Sequence, residues 1–451
     1  MTERAPLCAG PLAAPFATRG GATISRRQFL ADASALAERL PASGAMLNLS
    51  VDRYLFAVGF AAALLRGQAS LLPPNHVPDT VTRLRARFPA MYALVEGETD
   101  DHGLPSVRHA DRHADAAGIE RVPEIDADLV AAHVLTSGST GDPVPHAKPW
   151  GLLVRNGRAE ASRLAEALGR ADLAGVAIVA TVPPQHMYGF ESSVLLALHG
   201  GAVVDAGRPF FPADVASALA SVAAPRALVT TPFHLKTILD AGIAIAPLTL
   251  VLCATAPLSP QLAARAEERL GAPLVEIYGC TEAGQVASRR TTAGAEWRTL
   301  EGVVLAGDGD GAVVSGGYVP QPTVLADVLE VTGATTFRLL GRSNDLVNVA
   351  GKRSSIGHLG FQLNSIQGVV DGAFWMPPDS SADALGIVRL VAFVVAPGID
   401  DAQITAGLRE RVDTAFLPRR IVRVDALPRE ATGKLPAARL AELAARRGAA
   451  R

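Results

Sequence analysis

The chain contains few cysteines and almost no lysine. Its 451 residues include 3 cysteines, too few to build a disulfide framework, so we expect the protein to work in a reducing compartment. Only four of its 42 basic residues are lysine, namely Lys148, Lys236, Lys352 and Lys434. A genome-wide preference for arginine is one explanation. The other is that these four positions need a compact ammonium group that a planar guanidinium does not replace.

The sequence also lacks an excess of one charge and a long apolar run. Its 42 basic and 44 acidic side chains nearly balance, which excludes the strongly basic surface of a typical nucleic-acid-binding protein. The longest apolar helical segment, 54–65, is shorter than the roughly 20 residues that a bilayer requires, so we expect a buried core helix and no membrane span. Pro6, Pro11 and Pro15 interrupt the N-terminal apolar residues, so no signal peptide and a cytoplasmic location are predicted.

From about residue 127 onward, short apolar runs alternate with segments of helical spacing. Strands are predicted at 129–135, 176–182, 202–205, 227–230, 248–253 and 274–278, and helices at 150–168, 192–198, 213–222, 233–240 and 259–270. This alternation is typical of an α/β fold with mainly parallel sheets and helices on both faces. In such folds ligands bind beyond the carboxyl ends of the strands. The polar stretch 96–126 is predicted to be a solvated connection.

The last 110 or so residues have a different pattern. Short β-branched runs at 346–349, 388–395 and 421–424, with a helix at 402–412, predict a small α+β domain that begins near Gly341. Turn-forming residues at 339–345 indicate a hinge. We therefore predict a large N-terminal domain, 1–340, and a small mobile C-terminal domain, 341–451.

Two segments that follow predicted strands have the composition of a nucleotide site. Segment 135–143, L-T-S-G-S-T-G-D-P, offers backbone amides and hydroxyls to phosphate oxygens, although an ordinary Ser/Gly loop would look similar and the Walker A spacing is absent. Segment 278–284, Y-G-C-T-E-A-G, places a carboxylate beside a hydroxyl, which suits Mg²⁺ shared with phosphates. The alternative for the second segment is a helix start, with Thr281 as N-cap and Glu282 in the first turn.

Two further segments complete the pattern. One is G-R-S-N-D at 341–345 with N-V-A-G-K-R at 348–353, and the other is L-P-R-E-A-T-G-K-L at 427–435. In this order the four segments resemble the signatures of the acyl-adenylate-forming superfamily, which includes acyl- and aryl-CoA ligases and peptide-synthetase adenylation domains. Segments 183–189 and 254–258 resemble the family's substrate gate and adenine-lining segment. The run 137–151 also resembles a subgroup found with bacterial aryl polyene and related pigment clusters.

The resemblance implies two half-reactions in one site. A carboxylic acid, aromatic or unsaturated by the subgroup likeness, attacks ATP to give an acyl-AMP and pyrophosphate. The thiol of coenzyme A or of a carrier protein's phosphopantetheine then takes the acyl group and releases AMP. ATP and Mg²⁺ are the implied cofactors, and a monomer or homodimer is expected. Gly351 matches a glycine that lets the pantetheine arm pass, which favours a thiol acceptor.

The resemblance also implies a role for each matching residue. The phosphate loop comprises Thr136, Ser137, Gly138, Ser139, Thr140 and Gly141. Further nucleotide contacts fall on Thr255, Ala256, Pro257, Tyr278, Gly279, Asp327 (ribose) and Arg342 (ribose or phosphate). Catalysis falls on Lys434 (adenylation), Thr281 (α-phosphate) and Glu282 (metal, with Thr140), with His186 as the gate of the acyl pocket.

Two positions depart from the family pattern. Val144 replaces the lysine that ends the phosphate loop, and we hypothesise that Lys148 takes its place on the terminal phosphates. The alternative is that Lys148 is a solvated residue at the start of a helix. Asn344 occupies the pivot of the hinge, where the family usually has aspartate or lysine. Both departures leave open a catalytically degenerate relative that binds a nucleotide or carrier protein without turnover.

Overall fold

The computed structural model describes residues 3–137, 143–309, 311–342, 346–349, 352–377, 390–429 and 435–448. Several predicted site residues lie outside these ranges: Gly138, Ser139, Thr140, Gly141, Asn344, Gly351 and Lys434. The side chains of Thr136, Ser137 and Arg342 are also outside the description, although their strands are defined.

Residues 3–149 contribute strands to two large sheets. The strands are β1 (Arg4–Pro6), β2 (Pro15–Arg19), β3 (Ala22–Ser25), β4 (Met46–Asn48), β5 (Ser70–Leu72), β6 (Tyr92–Val95), β7 (Ser106–Arg108), β8 (Glu124–Asp126), β9 (Val130–Ser137) and β10 (Pro143–Pro149). The helices are α1 (Arg26–Arg39), α2 (Arg53–Leu65) and α3 (Pro78–Arg87). Within the described ranges one sheet has the order β10-β9-β5-β4-β6-β7, parallel except for β10.

Segment 96–126 is not only a connection, as the sequence predicted. It contains β7, which pairs with β6, and β8, which pairs with β1. These strands are only three residues long and largely exposed, so they have no apolar run by which the sequence could reveal them.

The apolar helix predicted at 54–65 is confirmed as α2. Asp52 caps it, since its carboxylate accepts a hydrogen bond of 2.9 Å from the amide of Leu55. The helix is buried on nearly every side in the main core cluster, which explains its uniformly apolar sequence. Across the described ranges, no helix combines the length and apolar character that a membrane crossing requires.

Residues 150–342 build most of the second large sheet. The helices are α4 (Trp150–Ala167), α5 (Met187–Gly189), α6 (Leu196–His199), α7 (Pro212–Ser221), α8 (Pro232–Asp240) and α9 (Pro260–Leu270). The strands are β11 (Ala177–Ala180), β12 (Val203–Asp205), β13 (Arg226–Thr230), β14 (Leu250–Cys253), β15 (Leu274–Cys280), β16 (Gly284–Arg289), β17 (Glu296–Thr299), β18 (Val303–Ala306), β19 (Val313–Gly316), β20 (Thr323–Val324), β21 (Asp327–Gly333) and β22 (Thr336–Arg342). In the described part of the chain the order is β21-β22-β17-β16-β15-β14-β13-β11-β12-β2-β3, parallel from β15 to β2.

Helices cover both faces of this sheet, as predicted. Val179 and Val251 pack in one buried cluster with α7, α8 and α9. Their neighbours in sequence, Ile178 and Leu252, pack in a second cluster with α4 and α6. Because successive side chains of a strand point to opposite faces, the continuous apolar strands reflect burial on both sides.

A buried ion pair joins β15 to β16. The Glu276 carboxylate is 4 % exposed and lies 2.7 Å from a guanidinium nitrogen of Arg289. We expect Arg289→Met to lower the free energy of unfolding by about 3–5 kcal/mol, because it leaves this carboxylate buried without its cation. Arg290→Met is the matched control, since Arg290 is 54 % exposed where it pairs with Glu267, and its loss should cost at most about 1 kcal/mol. Urea denaturation measures both, and equal losses would contradict the prediction.

The C-terminal residues form the three strands and the helix that the sequence predicted, together with four elements that it did not predict. They are β23 (Leu346–Val349), β24 (Lys352–Ser355), α10 (Ile356–Asn364), β25 (Asp371–Trp375), β26 (Val391–Val395), α11 (Asp401–Arg409), β27 (Arg420–Arg423) and α12 (Ala437–Arg446). The predicted ones are β23, β26, β27 and α11. In the described ranges β25, β26 and β27 form one sheet, and α10 packs against β25 around a separate apolar cluster. The prediction of a smaller α+β region is confirmed.

The prediction of a turn at 339–345 is wrong for residues 339–342. Strand β22 continues to Arg342 and pairs with β21. Gly341 permits this with a φ of +133°, and the Ser355 hydroxyl packs over it and donates a hydrogen bond of 2.9 Å to the carbonyl of Leu340. A Cβ at Gly341 would lie 1.6 Å from that hydroxyl oxygen, so the glycine reflects close packing rather than a turn. The domain boundary at 340/341 stays a prediction.

Candidate active site

The second signature segment forms a tight turn between β15 and β16. Cys280 and Gly284 face each other across this antiparallel pair, so residues 281–283 connect two strands. No helix begins here, and the alternative of Thr281 as a helix N-cap is wrong. Thr281 is half-buried, whereas the Glu282 side chain is 48 % exposed. The carboxylate is therefore open to a ligand that approaches from solvent.

Lys148 lies directly behind this turn. Its ammonium donates hydrogen bonds to the carbonyl oxygens of Thr281 (2.5 Å) and Glu282 (3.0 Å). Lys148 is in β10 and only 6 % exposed, so the alternative of a solvated lysine at a helix start is wrong. Burial lowers the pKa of Lys148, while the nearby Glu191 acts in the opposite direction. Whether Lys148 also contacts phosphate stays a prediction.

The segment predicted to bind phosphate lies between β9 and β10. These strands are antiparallel, and Ser137 at the end of β9 faces Pro143 at the start of β10. The two ends of the loop are thus held side by side, and Lys148 is five residues further along the same strand. Strand β10, which follows the loop, contacts the Thr281–Glu282 turn through Lys148 and His146.

A buried carboxylate, Glu191, contacts the start of β16, just after the turn. Glu191, 2 % exposed, accepts hydrogen bonds from the Asn156 side-chain amide (2.8 Å) and the Gln285 backbone amide (3.3 Å). Burial raises the pKa of Glu191 to about 8. Glu191 belongs to a π-helix, Phe190–Leu195, where the sequence predicted an ordinary helix from residue 192. Short π-helical segments are frequent at functional sites.

Glu160, on α4, extends this polar network. Its carboxylate is fully buried and accepts a hydrogen bond of 2.6 Å from the Ser192 hydroxyl, which in turn accepts one of 2.9 Å from the Gln285 side chain. Burial raises the pKa of Glu160 to about 7. In the folded protein this group is therefore protonated under conditions in which an exposed glutamate is charged.

Glu160 should make stability depend on pH. Between its unfolded pKa of 4.5 and its folded pKa of about 7, the folded state holds more protons, so the free energy of unfolding falls as pH rises through this range. Glutamine does not titrate. Glu160→Gln should therefore reduce the difference in unfolding free energy between about pH 5 and pH 8 by roughly 2–3 kcal/mol.

Urea denaturation at both pH values measures this difference. Glu166→Gln is the matched control, because Glu166 lies on the same helix in an exposed pair with Arg298 and should leave the difference nearly unchanged. A wild-type pH dependence that persists in Glu160→Gln would contradict the prediction.

Two residues predicted to bind the nucleotide, Tyr278 and Asp327, are joined by a hydrogen bond. The hydroxyl of Tyr278 donates a hydrogen bond of 2.7 Å to the carboxylate of Asp327, at the start of β21.

Thr255, just after β14, has a φ of +82°, which is unfavourable for a β-branched residue. Such strain is concentrated at functional sites, and Thr255 belongs to the segment expected to line the adenine.

The segment predicted to gate the acyl pocket, 183–189, follows β11 and includes α5. The His186 ring bonds to the carbonyl of Pro74 at 2.9 Å, and the hydroxyl of Tyr188 donates to the carbonyl of Thr230 (3.1 Å), at the end of β13. A Cβ at Gly189 would lie 2.1 Å from the Pro183 carbonyl oxygen, so only glycine fits. The segment is anchored at strand ends, and the gating role of His186 stays a prediction.

The sequence did not reveal several residues that surround the turn. These are His146, whose ring nitrogen lies 3.8 Å from the Glu282 carboxylate, together with Asn156, Glu191 and Tyr318. One signal was present in the sequence, since His146 and Lys148 are two residues apart and share a face if the segment is a strand. The expectation of a helix start near Lys148 concealed this alternation.

This arrangement of sheets, hairpin loop and Thr-Glu turn defines the fold of an adenylate-forming enzyme. The chain belongs to the AMP-binding enzyme family, whose model matches residues 45–321. Enzymes of this family use ATP, and the chain is a ligase of the AMP-forming, acyl-CoA synthetase type. The family predicted from the sequence motifs is confirmed.

Relatives agree with this assignment, and solved structures share the fold. The chain is 32 % identical over 286 residues to the 4-coumarate–CoA ligase of Rhodobacter capsulatus, covering 62 % of this chain and 67 % of that protein. It is 28 % identical over 322 residues to the 4-coumarate–CoA ligase of Halorhodospira halophila (66 % and 73 %). Its fold resembles ATP-bound MatB from Rhodopseudomonas palustris, with a TM-score of 0.75 at 20 % identity over 97 % of both chains. The anthranilate CoA ligase AuaEII with anthranoyl-AMP gives 0.74 at 17 % identity, over 96 % and 94 %.

Proposed function

We propose that this ligase activates an aromatic or unsaturated carboxylic acid and transfers it to the thiol of coenzyme A. The observation that carries the proposal is the likeness to two 4-coumarate–CoA ligases, each over more than 60 % of this chain. Carrier-protein phosphopantetheine is the alternative thiol, since the chain is also 27 % identical to triostin synthetase I of Streptomyces triostinicus over 93 % of its length.

The proposed first step joins two anions. A carboxylate oxygen of the acid attacks the α-phosphorus of ATP, a new P–O bond forms, and pyrophosphate leaves with the electrons of the broken P–O bond. Charge neutralisation must supply much of the rate enhancement. Lys434 is proposed to place its ammonium between the carboxylate and the α-phosphate, and the Thr281 hydroxyl is proposed to bind an α-phosphate oxygen.

The exposed Glu282 carboxylate fits a Mg²⁺ site. It is a hard oxygen donor, and Mg²⁺ typically takes one or two protein carboxylates and completes its shell with phosphates and water. Among the described residues, no three His, Cys, Asp or Glu side chains are grouped so that they could hold a metal by themselves. When bound, Mg²⁺ would neutralise phosphate charge, with Thr140 as a further proposed ligand.

The remaining roles are divided between the two predicted domains. Residues 1–340 are proposed to bind ATP and the acid, with Asp327 on the ribose hydroxyls beside Tyr278, and residues 341–451 to carry Lys434 and swing about Asn344 between the half-reactions. In the second step the thiolate attacks the acyl carbonyl carbon and AMP leaves. Gly351 is proposed to give the pantetheine arm passage.

Acid-dependent ATP–pyrophosphate exchange tests the proposal. The panel comprises hydroxycinnamic, benzoic, unsaturated aliphatic and saturated aliphatic acids, each followed by addition of coenzyme A or a phosphopantetheinylated carrier protein. We expect exchange with an aromatic or unsaturated acid and thioester formation with coenzyme A. Exchange with saturated aliphatic acids alone would overturn the substrate class. No exchange with any acid, on folded protein, would favour the degenerate, binding-only relative that Val144 and Asn344 suggest.

A further inference from the structure

Buried side chains bind the backbone of the turn 281–283 and of the start of β16 at four points. The ammonium of Lys148 binds the carbonyls of residues 281 and 282, at 2.5 and 3.0 Å. The hydroxyl of Tyr318 donates to the carbonyl of Gln285 at 2.6 Å, and the carboxylate of Glu191 accepts from the amide of the same residue at 3.3 Å. These three side chains come from β10, the π-helix and the connection between β19 and β20, and all bind within residues 281–285.

All three holding groups are buried, whereas the Glu282 side chain is exposed and that of Thr281 is half-buried. Lys148, Glu191 and Tyr318 are 6 %, 2 % and 3 % exposed. Glu282, by contrast, keeps 48 % of its side chain exposed. The buried polar contacts therefore fix the backbone here and leave the Glu282 side chain available to a ligand.

Gly284 shows how closely the buried groups pack against the turn. Its φ is +86°, and a Cβ there would lie 2.9 Å from the Asn156 amide nitrogen and 3.0 Å from a Glu191 carboxylate oxygen. Glycine is thus required both by its backbone conformation and by the space. The network touches the turn directly, without an intervening layer of side chains.

We propose that Lys148 is a positioning residue, which with Glu191 and Tyr318 fixes the turn so that Thr281 and Glu282 meet the α-phosphate and its metal. The proposal rests on the proposed function. It competes with the hypothesis that Lys148 binds the terminal phosphates of ATP. Two of its three ammonium donors already serve backbone carbonyls, and the residue is buried behind the turn that carries the ligating side chains.

The two roles differ in their kinetic consequences. A misplaced turn weakens contacts that strengthen in the transition state, where charge develops around the α-phosphorus, so it lowers kcat more than it changes KM. A lysine on the terminal phosphates binds ATP similarly in the ground state and the transition state, so its loss raises KM for ATP.

Lys148→Met keeps the apolar stem of the side chain and removes the ammonium. We expect kcat of pyrophosphate exchange to fall about 30-fold, with KM for ATP within roughly threefold of wild type. Tyr318→Phe removes one hydroxyl and should lower kcat about fivefold with the same KM pattern. Lys236→Met is the matched control, because Lys236 is on the surface of α8, paired with Asp240, and should leave both constants unchanged. A tenfold or greater rise in KM with kcat retained, or no change in either constant, would overturn the proposal.

Hydrogen–deuterium exchange of the peptide that spans residues 278–287 gives a readout independent of turnover. Lys148→Met and Tyr318→Phe should both lose protection there, while Lys236→Met should not. Wild-type protection in both variants would overturn the proposal. Tyr318→Phe leaves Lys148 in place, so the test holds if Lys148→Met does not fold. A wild-type enzyme without exchange activity towards any acid would instead contradict the proposed function, and the deuterium result would still decide whether Lys148 holds the turn.

Discussion

Replacing Lys434 with alanine should lower acid-dependent pyrophosphate exchange by roughly 10²–10³-fold. The proposed reaction brings a carboxylate to a polyphosphate, and Lys434 is the residue that matches the adenylation lysine of the family. It lies outside the described residues, so its place rests on the segment P-R-E-A-T-G-K at 428–434. A compact ammonium with rotating donors suits a position between two anions. Exchange measured at saturating ATP and acid gives the size of the effect.

The second half-reaction provides the control for Lys434. Synthetic acyl-AMP and coenzyme A bypass adenylation, so Lys434→Ala should still form thioester at a rate within roughly tenfold of wild type. Lys236→Ala, on the surface of α8, should leave both half-reactions unchanged. Equal losses of adenylation and thioester formation in Lys434→Ala would contradict a role specific to the first step.

Replacing Glu282 with glutamine should lower the same exchange rate by about 10²-fold and raise the Mg²⁺ concentration needed for half-maximal rate. The substitution keeps the size of the side chain and removes the charge that would hold the metal. The turn itself should persist, because its contacts with Lys148 use the backbone carbonyls of Thr281 and Glu282 rather than their side chains.

A titration with Mg²⁺ at fixed ATP checks the role of Glu282. Glu268→Gln, at an exposed position of α9, is the matched control and should follow the wild-type curve. An unchanged Mg²⁺ requirement in Glu282→Gln, with a lowered rate, would show that the carboxylate acts in another way than as a metal ligand.

The elements whose signals are local could be predicted from sequence. Helix α9 is an example, because Ser259 followed by Pro260 predicts its start, and the Ser259 hydroxyl indeed accepts a hydrogen bond of 3.2 Å from the Leu262 amide. The apolar strands β13 and β14 lie within two residues of their predicted bounds for the same reason, since burial on both faces makes them continuously apolar.

Structural features that depend on pairing between distant segments could not be predicted. The residues after Tyr278 carry a good helix-start signal, yet β16 pairs with β15 and makes the connection a hairpin turn. The local sequence allows Lys148 to be a phosphate ligand or a solvated residue at a helix start, because the pairing of β10 with β9 is invisible in it. The contact of Glu191 with Gln285 joins residues nearly a hundred positions apart, and no local pattern marks it.

The central claim is that a carboxylate oxygen of the acid attacks the α-phosphorus of ATP. Incubating the enzyme with ATP, coenzyme A and an acid labelled with ¹⁸O in its carboxylate, followed by mass spectrometry of the products, tests this directly. The account predicts one labelled oxygen in AMP and none in pyrophosphate, because the oxygen that bonds to phosphorus leaves with AMP when the thiol attacks. Label in inorganic phosphate, or thioester formed together with unlabelled AMP, would contradict it.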